Sequence, residues 1–170
     1  MSGAAKSPRP AARKRTAARL AAVQALYQME IVGTPTDTVV DEFLVHRLNA
    51  DASREEPDFG EADRTLFAEL TRGAAEQRDA VDHTIAGALS PDWPLPRLEA
   101  VLRAILRVGV YELAHRRDVP PEIAINEYVD IAHAFYAGKE PGLVNGVLDK
   151  IARNLRPEEM GRSRGGETAR

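Results

Sequence analysis

Apolar residues recur along this chain at three- and four-residue intervals, in blocks separated by short stretches rich in Pro, Gly and charge. Over about 13–32, Leu20, Val23, Leu26, Tyr27 and Ile31 fall on one helical stripe, and Gly33 supplies a stop. Thr36 or Asp37 can cap a second helix that turns Val40, Phe43, Leu44 and Leu48 inward. The polar, acidic stretch 49–60 reads as a loop. A long helix then covers about 62–89, with Leu66, Leu70, Ala74, Val81, Ile85 and Leu89 on one face and Gly73 allowing a bend. Pro91, Pro94 and Pro96 break it, because each disfavours helix in its predecessor. The helix over about 96–115 is apolar nearly all round and is expected at the centre, where Gly109 lets a neighbour approach closely. Pro121 opens a further helix carrying Ile125, Tyr128, Val129 and Ala132, which ends near Gly138. Pro141 opens the last, with Val144, Val147, Leu148, Ile151 and Leu155 inward and Pro157 as its stop. No segment alternates as a strand does. The pattern predicts an all-α, compact bundle of about seven helices over 13–156, between a disordered basic leader (1–12) and a flexible tail (157–170).

Composition narrows the chemistry. A chain of 170 residues suffices for one core. It has no cysteine, so disulfides and thiolate metal sites are excluded, which suits a reducing cytoplasm. His46, His83, His115 and His133 show no metal-ligand spacing, and no metal or other cofactor is expected. No stretch approaches the ~18 apolar residues of a membrane span. The apolar run 20–23 is also too short for a secretory core, so a cytoplasmic location is expected.

Charge is unevenly placed. Residues 1–19 hold six basic residues and no acid, leaving 17 basic and 26 acidic residues in the remainder. A basic leader on an acidic body is the asymmetry of a nucleic-acid-binding arm. Arg13, Lys14, Arg15 and Arg19 fall on or beside the first helix, where they can meet phosphates and release condensed counterions. Tyr27 lies about 12 Å beyond Arg19 along that helix, placed either to stack on an unpaired base or to close the edge of the core. Trp93, in the proline-rich turn, either meets a partner or covers the core, and covering is the preferred reading.

Two polar insertions stand out. Asn126-Glu127 interrupts Ile123, Ile125, Tyr128 and Val129, and Asn145-Gly146 falls early in the last helix. Asn126, Asn145 and Gly146 weaken helix propensity, so packing or a ligand selects them. Asn126, Glu127, Asn145 and Asp149 are expected to hydrogen-bond between the two helices and fix their register.

Four segments occur in a telling order. They are Ala-Val-Gln-Ala-Leu-Tyr at 22–27 and the apolar run 98–113, which closes on Tyr111-Glu112-Leu113 before Asp118-Val119-Pro120. Ala-Ile-Asn-Glu at 124–127 and Val-Asn-Gly-Val-Leu-Asp-Lys at 144–150 follow. Together they resemble the NusB family, small all-helical RNA-binding proteins of bacterial transcription antitermination. The resemblance spans about 13–155. It implies binding of the boxA element of ribosomal-RNA leader transcripts, as single-stranded RNA, together with the small-subunit ribosomal protein called NusE in this setting. With RNA polymerase and other Nus factors, such a complex suppresses premature termination. Carried over by position, Arg13, Lys14, Arg15 and Tyr27 face RNA, as does the loop Lys139 to Leu143. Glu99, with Trp93 near it, would lie on the partner side, where a carboxylate can meet a basic group of NusE. Two departures matter: the family often has a basic residue and a Phe where this chain has Gly142-Leu143, which removes a phosphate contact and a stacking ring, and the turn bearing Trp93 replaces a more polar stretch of the pattern.

Some ribosomal-RNA cytosine methyltransferases carry NusB-like domains, but the absence of any Cys and of a Gly-rich cofactor loop excludes that chemistry here. A helical protein-binding adaptor with an incidental basic leader is the alternative to an RNA binder. Whether the free protein is a monomer or a homodimer stays open, since exposed apolar residues on the first helix could self-associate.

Overall fold

The first apolar stripe folds into α1 (Pro10–Val32) in a computed structural model that describes residues 10–48 and 62–165. The expected boundary at 13 is therefore three residues late; the rest of the leader and the 49–60 loop lie outside the described residues. Gly33 stops α1 as expected: it holds φ +78° and donates its amide to the Met29 carbonyl at 2.9 Å. Next comes α2 (Thr36–Glu42), extended by a π turn over Phe43–Arg47.

The expected single helix over 62–89 is in fact two, α3 (Arg64–Glu76) and α4 (Arg78–Ala88), broken at Gln77. Asp63 caps α3 by accepting from the Leu66 amide at 2.9 Å. Gly73 is there for packing: a Cβ at that point would overlap the Tyr111 ring. A 3-10 turn (Leu95–Arg97) and extended backbone at Leu98 and Glu99 delay the next helix, α5, to Ala100–His115. Then follow α6 (Pro121–Phe135), α7 (Glu140–Leu155) and α8 (Pro157–Gly165). The fold is all-α, with eight α-helices and no strand among the described residues.

Pro157 begins a helix here instead of ending the fold, because proline fits a first helical turn. Arg156 is buried and donates to the Arg117 carbonyl at 3.1 Å and, through Nε, to Glu159 at 2.8 Å. Met160 is buried as well, so 157–165 includes a docked helix and the expected flexible tail is corrected to that extent.

The apolar helix α5 lies at the centre, as predicted, against α1, α3, α4, α6 and α7. Leu148 and Tyr128 stand 3.1–3.3 Å from where a Gly109 Cβ would be, the close approach that Gly109 was expected to allow. Arg19 pairs with Glu112, and Glu30 with Arg103 and Arg107, so α1 and α5 are antiparallel. Tyr128 meets Glu112 and Tyr136 meets Glu99, so α5 and α6 are antiparallel too. Helices α1 and α6 therefore run in one direction. Tyr27, the Trp93 turn, Glu99 and the 136–139 connection stand toward one end of the bundle, and Arg13–Arg15 toward the other.

Candidate nucleic-acid interface

Arg13, Lys14 and Arg15 are exposed in the first turns of α1, which has no acid in its first turn. A helix N-terminus already carries partial positive charge from its unpaired amides. Three cations there oppose helix stability, so folding alone does not favour them. The same arrangement attracts polyanions, because unpaired amides and basic side chains act together. The main chain beneath is anchored: the Lys14 carbonyl accepts from the Asp63 amide at 2.9 Å, tying α1 to the start of α3.

Arg19 is a correction. It was expected on the RNA surface, yet it is 2% exposed and held between acids. Its Nε donates to both Glu112 oxygens at 2.8 and 3.1 Å, and its Nη1 lies 3.5 Å from Glu127. Burial alone would lower the Arg19 pKa, but the hydrogen bond and charge of Glu112 outweigh it and hold the pKa above its ordinary value. Burial also raises the pKa of Tyr128, whose hydroxyl donates to Glu112 at 3.2 Å, and the Glu112 charge adds to the rise. An ion this well paired cannot turn to a phosphate without leaving two acids unmatched.

The polar clamp expected between α6 and α7 is also corrected. Glu127 reaches α1 instead, accepting from Thr16 Oγ1 at 2.8 Å. Asp149 pairs with Arg153 on its own helix at 2.8 Å. Asn126 and Asn145 are exposed, and an added Cβ at Gly146 would meet nothing within 4 Å. The two helices are held by apolar residues, among them Ile125, Tyr128, Ile131 and Ala132 from α6 and Val144, Val147, Leu148 and Ile151 from α7. Nothing in the chain's own packing explains Asn145 or Gly146.

At the opposite end, Tyr27 is 39% exposed, about 21 Å from Arg13 along α1. The expected loop from Lys139 to Leu143 is the N-cap and first turn of α7, where Lys139 and Gly142 are exposed and Leu143 is half-buried against the core. An added Cβ at Gly142 also meets nothing within 4 Å, so the missing basic side chain leaves open space. Tyr27 and Lys139–Leu143 thus stand toward one end of the bundle and Arg13–Arg15 toward the other.

Trp93 is 58% exposed, which corrects the expectation that it covers the core. Glu99 is exposed beside Tyr136; burial first, then interaction with this carboxylate, pushes the Tyr136 pKa up to about 12. The turn that presents Trp93 is braced by a network that the apolar pattern did not reveal. Arg103 donates to the Leu98 carbonyl and to Glu30, and Arg107 joins Glu30 at 2.9 Å to Asp82 at 2.8 Å. The available signal was charge inside an all-round apolar helix, which demands a buried partner. Among the described residues no His, Asp or Glu cluster could hold a metal, and no helix is long and apolar enough to cross a membrane.

Known proteins resemble this chain over most of its length. The transcription antitermination protein NusB of Caulobacter vibrioides is 49% identical over 142 residues, covering 84% of this chain and 94% of its own. That of Mesorhizobium japonicum is 48% identical over 151 residues, covering 89% and 96%. The solved structure of T. maritima NusB superposes with TM-score 0.70 at 30% identity, covering 93% of this chain and 99% of its own. A crystal structure of the antitermination factors NusB and NusE in complex with double-stranded RNA matches with TM-score 0.67 at 25% identity, covering 84% and 98%. The model of the NusB family matches residues 16–153, which run from the Thr16 anchor of α1 to the end of α7, and by that match and these relatives the chain belongs to the NusB family.

Proposed function

We propose that this chain is a non-enzymatic transcription antitermination factor of the cytoplasm. It binds boxA-type single-stranded RNA of ribosomal-RNA leader transcripts together with NusE, and acts with RNA polymerase and other Nus factors against premature termination. The observation that carries this reading is the exposed Arg13-Lys14-Arg15 cluster on the positive end of α1, with no acid in that turn. The antitermination role of the relatives and the NusB–NusE–RNA structure support it.

In this reading the RNA backbone engages Arg13, Lys14 and Arg15, and the strand follows α1 to Tyr27 and the Lys139–Leu143 start of α7. Stacking on Tyr27 adds base contact. NusE docks at the end bearing Glu99 and Trp93, beside that RNA-facing segment, and so adds area to the same complex. Ile31 and Val32, both exposed at the end of α1, give the free protein a surface for homodimer formation.

The test is titration of a boxA-like single-stranded RNA, with and without NusE, at two salt concentrations, with a duplex of the same sequence as comparison. Three phosphate contacts give a log-log salt slope of about −2, at roughly −0.7 per phosphate. NusE should tighten binding, and the single strand should bind more tightly than the duplex. Absence of RNA binding even with NusE present would leave the adaptor reading in its place.

A further inference from the structure

Glu127 is not among the proposed RNA contacts, yet it bridges two residues of α1. One carboxylate oxygen, Oε2, accepts from Thr16 Oγ1 at 2.8 Å and lies 3.5 Å from Arg19 Nη1. Thr16 directly follows Arg15, and its hydroxyl also reaches the Ala12 carbonyl at 3.0 Å. The first turns of α1 carry the cations that repel one another and the helix dipole. The Lys14 carbonyl bond to Asp63 and this carboxylate are two points that fix them.

From this juxtaposition we infer that Glu127 is a positioning residue for RNA binding: through Thr16 and Arg19 it holds the Arg13–Arg15 turn in the orientation that meets phosphate. The inference rests on the RNA-binding reading above. It explains why a carboxylate sits on α6 where the local pattern asks for an apolar or neutral residue. It also makes a prediction of opposite sign to simple electrostatics. An acid close to a basic cluster weakens attraction for a polyanion, so its removal alone should tighten RNA binding. A lost anchor should weaken it instead, because ordering the turn then falls to the binding step.

The experiment compares the full chain with Glu127→Ala, Glu127→Gln and Thr16→Val by fluorescence anisotropy against a labelled boxA-like single-stranded RNA. Melting and NusE binding are measured in parallel. Glu127→Ala should weaken RNA binding about fivefold, the factor that corresponds to one net hydrogen bond. Glu127→Gln keeps an acceptor for Thr16 and should stay within about twofold of the parent on the same basis. Thr16→Val, an exposed site, should weaken binding as Glu127→Ala does even if the latter loses stability. Amide hydrogen exchange over 14–17 should quicken in both weakened variants while NusE affinity is unchanged. Equal or tighter RNA binding by folded Glu127→Ala or Thr16→Val overturns the inference and leaves the RNA-binding reading intact. Failure of the parent chain to bind RNA overturns both.

Discussion

Arg19 and Glu112 form a buried ion pair between α1 and α5, with Nε 2.8 and 3.1 Å from the two carboxylate oxygens and neither side chain more than 3% exposed. Tyr128 of α6 donates to the same carboxylate at 3.2 Å, so one acid joins three helices. Removing one partner leaves the other charged and unmatched in the core, which typically costs about 3–5 kcal/mol. Arg19→Ala and Glu112→Ala should each lose that much in urea unfolding at neutral pH. The folded fraction of Arg19→Ala should keep the parent's salt slope for RNA, because Arg19 does not face solvent. A slope shallower by about 0.7 would return Arg19 to the phosphate contacts.

Gly73 and Tyr111 predict a cost with a different origin. A methyl group at 73 meets the phenol ring directly, and the ring is backed by His115, stacked at 4.6 Å between centroids. Gly73→Ala gains helix propensity yet overpacks this contact, for a net loss of about 1–3 kcal/mol. Combining it with Tyr111→Ala should recover part of that loss. Two independent, additive losses in chemical denaturation would show that the two positions do not press on each other.

The helices themselves were legible because burial imposes a period, and the period survives in sequence without any partner being known. Gly109 and Gly33 were legible for the same reason, each placed where apolar pattern and backbone freedom agreed. Arg19 was misread because it continues a run of exposed basic residues, and its burial depends on Glu112, 93 positions away. Glu127 was singled out but assigned to α7 instead of α1, and the brace on Glu30 was missed, since pairing across helices leaves no local trace. Proline misled at 157, where the residue fits a helix start as well as a helix stop. Charge inside α5 was the one local clue to these long-range pairs.

Gly142 offers a gain of function. The position is exposed in the first turn of α7 with open space around it, next to Leu143 in the segment proposed to face RNA. Gly142→Lys restores a cation and removes a helix-interior glycine, worth about 0.5–1 kcal/mol of helix stability before the unfavourable dipole at this end is subtracted. RNA affinity should rise, and the salt slope should steepen by about 0.7 for one added phosphate contact. An unchanged slope in the anisotropy titration would place this segment away from the RNA backbone.

Tyr136 carries a pH signature. Its pKa is pushed from 10.0 up to about 12 by burial and by interaction with the Glu99 carboxylate. The folded state thus holds the proton more tightly than the unfolded state. The stability this contributes is full below pH 10 and is lost as pH rises through about 12. Tyr136→Phe should lower stability by about 1 kcal/mol near pH 8, and the gap from the parent should close as pH approaches 12. Denaturant unfolding at several pH values checks this, and a gap that stays constant over that range would mean the Glu99 interaction is not what the variant removes.

Trp93 is the only tryptophan in the chain and is 58% exposed on a turn braced by Arg103, so it reports its own surroundings. An exposed side chain that touches little of its own fold should be removable at a cost within about 0.5 kcal/mol. If it instead anchors NusE, burial in the complex should shift its emission to shorter wavelength. Trp93→Ala should then weaken that complex about 30-fold or more, as hot-spot tryptophans of 2 kcal/mol or above do. Both effects are needed, because a spectral shift alone can come from a nearby contact that carries no affinity. Titration of NusE followed by Trp93 emission, with the variant's affinity measured by calorimetry, separates the cases. Unshifted emission at saturation with parental affinity in Trp93→Ala would remove this end of the bundle from the NusE surface and leave Glu99 to its interaction with Tyr136.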